Sequence, residues 1–288
     1  MIEAMREEGA SLRDALRYSG SSWNLYYREQ KPRLIPSDPY VVKKVEELIL
    51  ERPSYGTRRV AAQLSRELGV PINRKRIQKI LRTLGYAEPA KTRSEIIRAR
   101  DRAPKTSRPY ELWQTDLTYV PCGIDGWGYL FNVLDVFSRV WTGKQFSPTA
   151  TKDNAILSVE NAIVSHKDHL DLTTRLRADN GPQYTSRAFR ESMQVLGLRL
   201  EHIMYRTPEQ NGTIESFHRT LKKEYVWPYE FDSFQDAEKA IETAFTDYNE
   251  NRIHSSLGYL TPSEFLELWY MRDDDEEQQR KEKALNAS

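Results

Sequence analysis

The sequence predicts an α/β protein: a mixed five-stranded sheet flanked by helices, preceded by small all-α domains. Three observations predict it. Apolar side chains recur at three- and four-residue steps between Pro39 and Leu84, which is the helical period. At Leu112 the texture changes to alternating β-formers, LWQTDLTYV. From there the signals run as three strands, then helix, strand, helix, strand, helix. A meander followed by βα units gives a mixed sheet covered by helices.

Taken in order, SLRDALRYSGSSWNLYYREQ (residues 11–30) reads as two short helices, with Leu12, Ala15 and Leu16 on one face of the first. Trp23, Tyr26 and Tyr27 are expected to pack rather than stack on bases. This helix-turn-helix-like segment covers 1–33, and the prolines between Lys31 and Pro39 separate it from the next unit, 38–88. There Val41, Val42, Val45, Leu48 and Ile49 share one helical stripe, and Pro53 ends it. A second helix spans Thr57 to Leu68, with Val60, Ala61 and Leu64 inward. Asn73 is placed to cap a third, which buries Ile77, Ile80, Leu81 and Leu84. The other face of that third helix shows Arg74, Lys75, Arg76, Gln78, Lys79 and Arg82. A short turn before a basic second helix is the layout that enters a DNA major groove; a plain bundle with a solvated basic face is the alternative. Residues 89–108 form a basic linker, able to lie along phosphates or merely to stay soluble.

The core unit is expected over 109–228, with a C-terminal helical part over 229–272 and a charged tail over 273–288. Its strands are Leu112–Val120, Tyr129–Phe137, Val140–Phe146, a segment ending at Ala178, and Leu198–Ile203. Helices start at Thr151, Ser186, Gly212 and Gln235; the third runs to Tyr225, with Ile214, Phe217 and Leu221 inward. Trp113 and Tyr119 fall on the strand face opposite Asp116 and are expected in the core.

Composition narrows the function. A lone cysteine, Cys122, excludes an internal disulfide and a cysteine-based zinc site, and suits a reducing cytoplasm. No stretch is long and apolar enough for a membrane span. The net charge of +1 hides a division: residues 1–110 carry 24 basic and 13 acidic side chains, residues 111–288 carry 19 and 29. The basic front suggests a polyanionic partner. The acidic back would repel that partner unless metal ions or basic patches offset it.

Three acids sit in unusual places. Asp116 lies mid-strand, on the face of Gln114 and Thr118, where a carboxylate must be solvated, paired or on a metal. Asp179 ends the fourth strand in RADNGPQYTSRAF, where it is either a turn-former or a ligand. Glu215 lies in the first turns of a helix. The topology allows the first and fourth strands to be neighbours with the Glu215 helix across their edge. Three carboxylates from three elements suit two hard divalent cations, which prefer oxygen ligands.

These residues carry a resemblance. WQTDLTYV, DVFSR, ADNGPQYTS, NGTIESFHRTLKKE and YNENRIHSSLGYLTP are similar to blocks of the IS3-family insertion-sequence transposases and, more broadly, of the retroviral-integrase catalytic core. YGTRRVAAQL with NRKRIQKILRTLGY resembles the helix-turn-helix upstream of that core. The likeness covers residues 40 to 270. It implies an RNase H-like fold and a DDE triad at Asp116, Asp179 and Glu215, with 35 residues between the last two. It also implies two Mg²⁺ ions, with Mn²⁺ able to substitute, and metal-dependent cleavage and transfer of DNA strands. The expected partners are double-stranded DNA, as element terminal inverted repeats and as target, and further copies of the chain in a dimer or larger assembly. A basic residue at Lys222 is implied to touch DNA near the cut. Arg58, Arg59, Arg74, Lys75, Arg76, Gln78, Lys79, Arg82, Arg219 and Arg252 complete the candidate DNA contacts.

Several residues stay open on sequence alone. His218 could reach a phosphate, or cap or pack. Asp135 could support the metals or make a structural contact with Arg139. Asn180, Gln183 and Tyr184 either position DNA or form the turn. Asn249, Arg252, His254 and Ser255 either bind DNA or pack. Two rival functions also stay open: a DNA-binding regulator with a retired nuclease core, and a structure-specific nuclease that never joins strands.

Overall fold

The first helix begins where the sequence supplies a cap. Asp38 Oδ1 accepts from the Tyr40 N–H (3.1 Å), Pro39 takes the position that needs no donor, and α1 runs Pro39–Glu51. α2, Thr57–Leu68, closes on Gly69, whose φ of +64° is the left-handed conformation of a helix C-cap. Asn73 accepts from the Lys75 N–H (2.8 Å) and starts α3, Arg74–Thr83. Val45, Val60, Leu64 and Ile77 meet in the centre of these three helices with no exposed surface. The computed structural model describes residues 38–86, 105–170, 173–204 and 207–272, with scattered positions between 5 and 19. The expected N-terminal helix pair with Trp23, Tyr26 and Tyr27, most of the basic linker and the charged tail lie outside the described residues.

The sheet holds five strands in the order β3-β2-β1-β4-β5. β1 (Leu112–Pro121), β2 (Trp127–Asp135) and β3 (Trp141–Ser147) form an antiparallel meander; β4 (Arg175–Ala178) and β5 (Arg199–His202) add in parallel. One face carries Trp113, Phe131, Val133, Leu176 and Ala178 and is covered by α4 (Lys152–His166) and α5 (Arg187–Val195). α4 lies so close that a Cβ on Gly143 would meet the Ala162 Cβ at 2.5 Å. The other face carries Val120, Leu130, Leu134 and Trp141. It is covered by α6 (Gly212–Leu221), through Ile214, Phe217 and Leu221, and by α7 (Phe234–Glu250), through Ile241, Ala244 and Tyr248. Among the described residues no helix is long and apolar enough to cross a membrane.

The departures from expectation have physical causes. β2 stops at Asp135, not Phe137, because the Asp135 carboxylate turns back to accept from Ser138 N, Ser138 Oγ and Tyr110 N (2.7, 2.6 and 3.0 Å). Arg139 then takes a positive φ of +64°. Asp135 is thus fully buried in a structural turn. The Glu215 helix does not run unbroken to Tyr225; it widens into a π-helical turn over Lys222–Val226. Tyr119, expected in the core, is half exposed: at the end of β1 the covering helices have been left behind, and it leans on Trp127 and Tyr129.

Arg252, expected among the DNA contacts, is buried between the helical unit and the core. Its Nε donates to Glu224 Oε2 (2.9 Å), one terminal nitrogen to Glu224 Oε1 (3.1 Å) and to Ser54 Oγ (3.0 Å), and Tyr55 and Tyr248 flank the guanidinium. A residue so enclosed cannot reach a phosphate. A second ion pair lies beside it. Arg52 binds Asp247 through two hydrogen bonds, one of 2.8 Å, and donates to Tyr225 OH (2.9 Å). Tyr55 OH accepts from the Ile253 N–H (2.9 Å), and Ile253 joins the apolar core of the three helices. Asn249, also in this block, pairs with the Trp141 backbone in both directions (3.0 and 3.1 Å) and so packs. Because each charge is desolvated, Arg252→Met should lower stability by about 3–5 kcal/mol, leaving Glu224 buried without its main partner and with only Ser54 Oγ and, at 3.9 Å, Arg52 beside it. The double change Arg252→Met with Glu224→Met should recover most of it. Urea unfolding of the three proteins checks this, and a double variant as unstable as the single one would contradict it.

Candidate active site

β4 pairs with β1 only over Leu112–Thr115, opposite Arg175–Ala178. β4 therefore ends beside Thr115, and the next residue on each strand is an acid, Asp116 and Asp179. Asp179 Oδ1 accepts from the Gly181 N–H (2.8 Å), the turn bond expected of an Asp-Asn-Gly sequence. Oδ2 has no donor among the described residues. His202 Nδ1 lies 3.0 Å from the Asp179 carbonyl and Asn180 Nδ2 donates to the Ile203 carbonyl (3.0 Å), so the turn is tied to β5. Tyr184 faces the core, edge-on to Phe189 at 5.3 Å, and is removed from the candidate DNA contacts. Gln183 is half-buried, 3.5 Å from the Ala150 carbonyl.

The third acid is delivered by a clamp. Gln114, fully buried two residues before Asp116, accepts from the Ile214 N–H (3.0 Å) and donates to the Gln210 carbonyl (2.6 Å). The first turn of α6 is thereby fixed to β1, with Glu215 next along the helix and exposed. Arg177 on β4 also reaches the Gln210 carbonyl (3.3 Å). Asn132, opposite Asp116 on β2, donates from Nδ2 to the Leu130 carbonyl (3.1 Å) and to His218 Nε2 (3.0 Å). Accepting at Nε2 leaves the His218 proton on Nδ1, which faces Asp116 Oδ2 at 3.5 Å. Burial, reinforced by Lys222, lowers the His218 pKa to about 3, so the ring is neutral and not a salt-bridge partner. Asn211 is buried, ahead of α6.

Electrostatics ties the acids together. Burial raises the Asp116 pKa from 3.8 to about 7; Asp179 and, less, Glu215 add to the rise, while the Leu117 N–H (2.8 Å from Oδ1) and Lys222 oppose it. The negative charge at this edge is therefore undercompensated. Among the described residues no three His, Cys, Asp or Glu side chains are arranged as ready metal ligands. The donor set nevertheless fits hard cations: it is all carboxylate, from three elements, with excess negative charge.

The basic candidates divide by exposure. Arg58, Arg74, Lys75, Gln78, Lys79 and Arg82 are exposed on α2 and α3, as is Arg219 on α6; Lys222 is half-buried. Arg76 is half-buried, with Nε and one terminal nitrogen screened from solvent. Arg59 is also half-buried, donating to the Ser54 carbonyl (3.2 Å) over the Tyr55 ring. Arg58, Arg59, Arg74 and Gln78 line an open groove of about 390 Å³ with Gly56 and Thr57, and Ser255 of the core completes it. His254 faces inward, its Nε2 3.2 Å from Arg252. Sequence reasoning missed Arg52, Asn132, Glu224 and the clamp role of Gln114. A polar side chain at an inward strand position was the available signal for Gln114 and Asn132; none distinguished Arg52 or Glu224 from surface charges.

The integrase core domain family matches residues 106–208 and again 196–262, and the HTH-like domain family matches 39–93. Transposase InsD of insertion element IS2 from Escherichia coli is 31% identical over 242 residues, covering 80% of this chain and 79% of that protein. The 31.7 kDa protein of insertion element IS407 from Burkholderia multivorans is 29% identical over 280 residues, covering 92% and 94%. Among solved structures, the catalytic core domain of BIV integrase aligns with a TM-score of 0.44 at 23% identity, over 57% of this chain and 98% of that one. The chain belongs to the insertion-sequence transposases of the IS3 type, with an HTH-like domain ahead of an integrase core domain.

Proposed function

We propose that this transposase binds the terminal inverted repeats of its element and cuts and rejoins DNA there, with Asp116, Asp179 and Glu215 as the catalytic acids. The observation that carries the reading is that Asp116 and Asp179 are the first residues past the β1–β4 pairing while Gln114 ties the start of α6, which bears Glu215, to β1. Their residue types suit two Mg²⁺ ions, or Mn²⁺ in their place. When bound, such a pair stabilises the attacking and leaving oxygens at a phosphorus. In the first reaction water displaces the 3′ oxygen of one strand at the element end. In the second, the freed 3′ hydroxyl attacks a phosphodiester of the target, in line, and displaces its leaving oxygen.

The chain's own contribution is placement. Gln114 holds the start of α6, and so Glu215, against β1. The Asx turn at Asp179 orients that carboxylate through one oxygen. The neutral His218 ring, held by Asn132, offers Asp116 a polarised N–H without a full charge. Lys222 supplies the local cation for a phosphate. Arg58, Arg74, Lys75, Gln78, Lys79 and Arg82 face the duplex, the N-terminal residues of α3 toward base edges and the rest toward phosphates. Two element ends must be joined in one event, so the working form is a dimer or larger assembly on DNA, in the cytoplasm at the nucleoid.

Glu215→Gln should bind element ends as tightly as wild type and cut supercoiled donor plasmid at least about 100-fold more slowly, since electrostatic stabilisation of the reacting phosphate is lost. Cutting at the wild-type rate would refute the assignment. Arg74→Ala and Lys79→Ala should each weaken binding to all duplexes or relax specificity at one position. A phosphate contact is expected to lower the slope of log affinity against log salt by about 1. Asp116 also gives a stability test without metal. Unfolded, it ionises near pH 3.8; folded, it keeps its proton to about pH 7. Below the lower value the wild type bears no charging cost; the cost grows between the two and is complete above pH 7. Relative to wild type, Asp116→Asn should therefore gain on the order of 4 kcal/mol from low pH to pH 8, read by urea unfolding with a chelator present. A gain that does not vary with pH would contradict it.

A further inference from the structure

Past Thr115, β1 pairs with no strand on the β4 side among the described residues, and its last residues form an open edge. An aromatic basin lies along it. Tyr119 is 50% exposed, Trp127 59% and Trp227 63%, and with Pro121, Tyr129 and Lys222 they line a cavity of about 670 Å³. Side chains of this size normally bury most of their surface, so a cluster left in water marks a contact surface. The rings do not stack on one another. Tyr119 meets Trp127 edge-on (6.5 Å, 89°) and Tyr129 edge-on (5.4 Å, 63°), so ring faces stay available.

The π turn builds the basin's far wall. In an α-helix, residues five apart diverge by about 140°. Here the Trp227 N–H bonds the Lys222 carbonyl (2.8 Å), an i→i+5 contact that brings the two side chains to one cavity. Lys222 is also the cation that acts on Asp116. Tyr119 is three residues along β1 from Asp116, about 10 Å, on the opposite face of the strand. Lys222 is the side chain that joins the two places, lining the basin and acting on Asp116, so a phosphate it holds would set the adjoining base beside the rings.

We propose that this basin receives an unpaired nucleobase from the strand being cut or joined, stacked on Trp127, Trp227 or Tyr119, with Lys222 holding the adjoining phosphate. The inference rests on the DNA-cutting function proposed above and adds to it that the end of the duplex opens at the site. In a duplex the base faces are covered and only edges show; a ring face can be read only once the base leaves the stack. Stacking on aromatic side chains is tolerant of base identity, so the basin aids opening rather than sequence choice.

The test uses the full chain and a fluorescein-labelled oligothymidylate carrying one 5-iododeoxyuridine. Irradiation should give adducts on Tyr119, Trp127 or Trp227, located by peptide mass spectrometry. Trp127→Ala with Trp227→Ala should weaken single-strand binding about 10-fold, while duplex binding stays unchanged. Phenylalanine at both positions should restore it. Adducts confined to α1–α3, or unchanged single-strand affinity in the alanine variant, would overturn the proposal. So would an alanine variant that loses self-association but keeps its single-strand affinity, which would make the basin an interface between copies. Failure of the wild type to bind or cut any duplex would instead overturn the underlying function; normal cutting with adducts elsewhere would overturn the basin alone.

Discussion

Burial of the Asp116 carboxylate beside two other acids at the β1–β4 edge is the constraint on which this core depends. Asp116 is largely screened from water, which raises its pKa most, and Asp179 and Glu215 add to the rise. A carboxylate so placed would turn away toward water if nothing held it. What holds it is rigid backbone. Asp116 and Asp179 are the first residues beyond a parallel strand pairing, so their spacing is set by the sheet. Glu215 has no strand to hold it, and the buried Gln114 serves instead by binding both sides of the α6 start. Losing that amide would leave an unpaired N–H at a buried helix end, a cost of about 1–3 kcal/mol, and would release the one acid not fixed by the sheet.

The same logic explains how the helical unit sits on the core. Its seam is crossed by the pairs Arg52 with Asp247 and Arg66 with Glu264, and Ser54 of the helical unit bonds both Arg252 and Glu224, beside the apolar contact of Ile253. Burial alone works against the charge on Arg252, and Glu224 more than offsets it, so this guanidinium is held more firmly protonated than usual. Paired charges tolerate little displacement before the desolvation cost reappears. They fix orientation better than apolar contacts, which can slide. Glu224 lies in the π turn that follows α6, so one short segment links the seam, the basin and the helix of Glu215.

Much of this was legible in the chain. The alternation of LWQTDLTYV fixes which side chains share a face, and Gln114, Asp116 and Thr118 do lie together against α6 while Trp113 is buried opposite. The helical stripe at Val41, Val45, Leu48 and Ile49 is the buried one. Periodicity failed where it carries no information. It cannot tell where a covering helix ends, and so it does not reveal that Tyr119 is half exposed. It cannot distinguish an exposed arginine from one 198 residues distant from its serine partner, as Arg252 is from Ser54. The π turn also lacked a signal, because KKEYV continues the helical pattern without glycine or proline.

The charge division along the chain now has a spatial meaning. The excess of acids after residue 110 includes the three carboxylates, whose field would drive phosphates away. Arg58, Arg59 and Arg74 stand in the groove that Ser255 closes from the core side, so the basic half reaches across the seam. On the proposed function, this groove is the place where one half of the molecule would hold DNA for the other half to act on. The groove arginines belong to the helical unit and the acids to the sheet and α6, and Lys222 is the cation that opposes the rise in the Asp116 pKa. A cation set directly against the carboxylates would offset their charge. Arginines placed on the helical unit leave that charge in place.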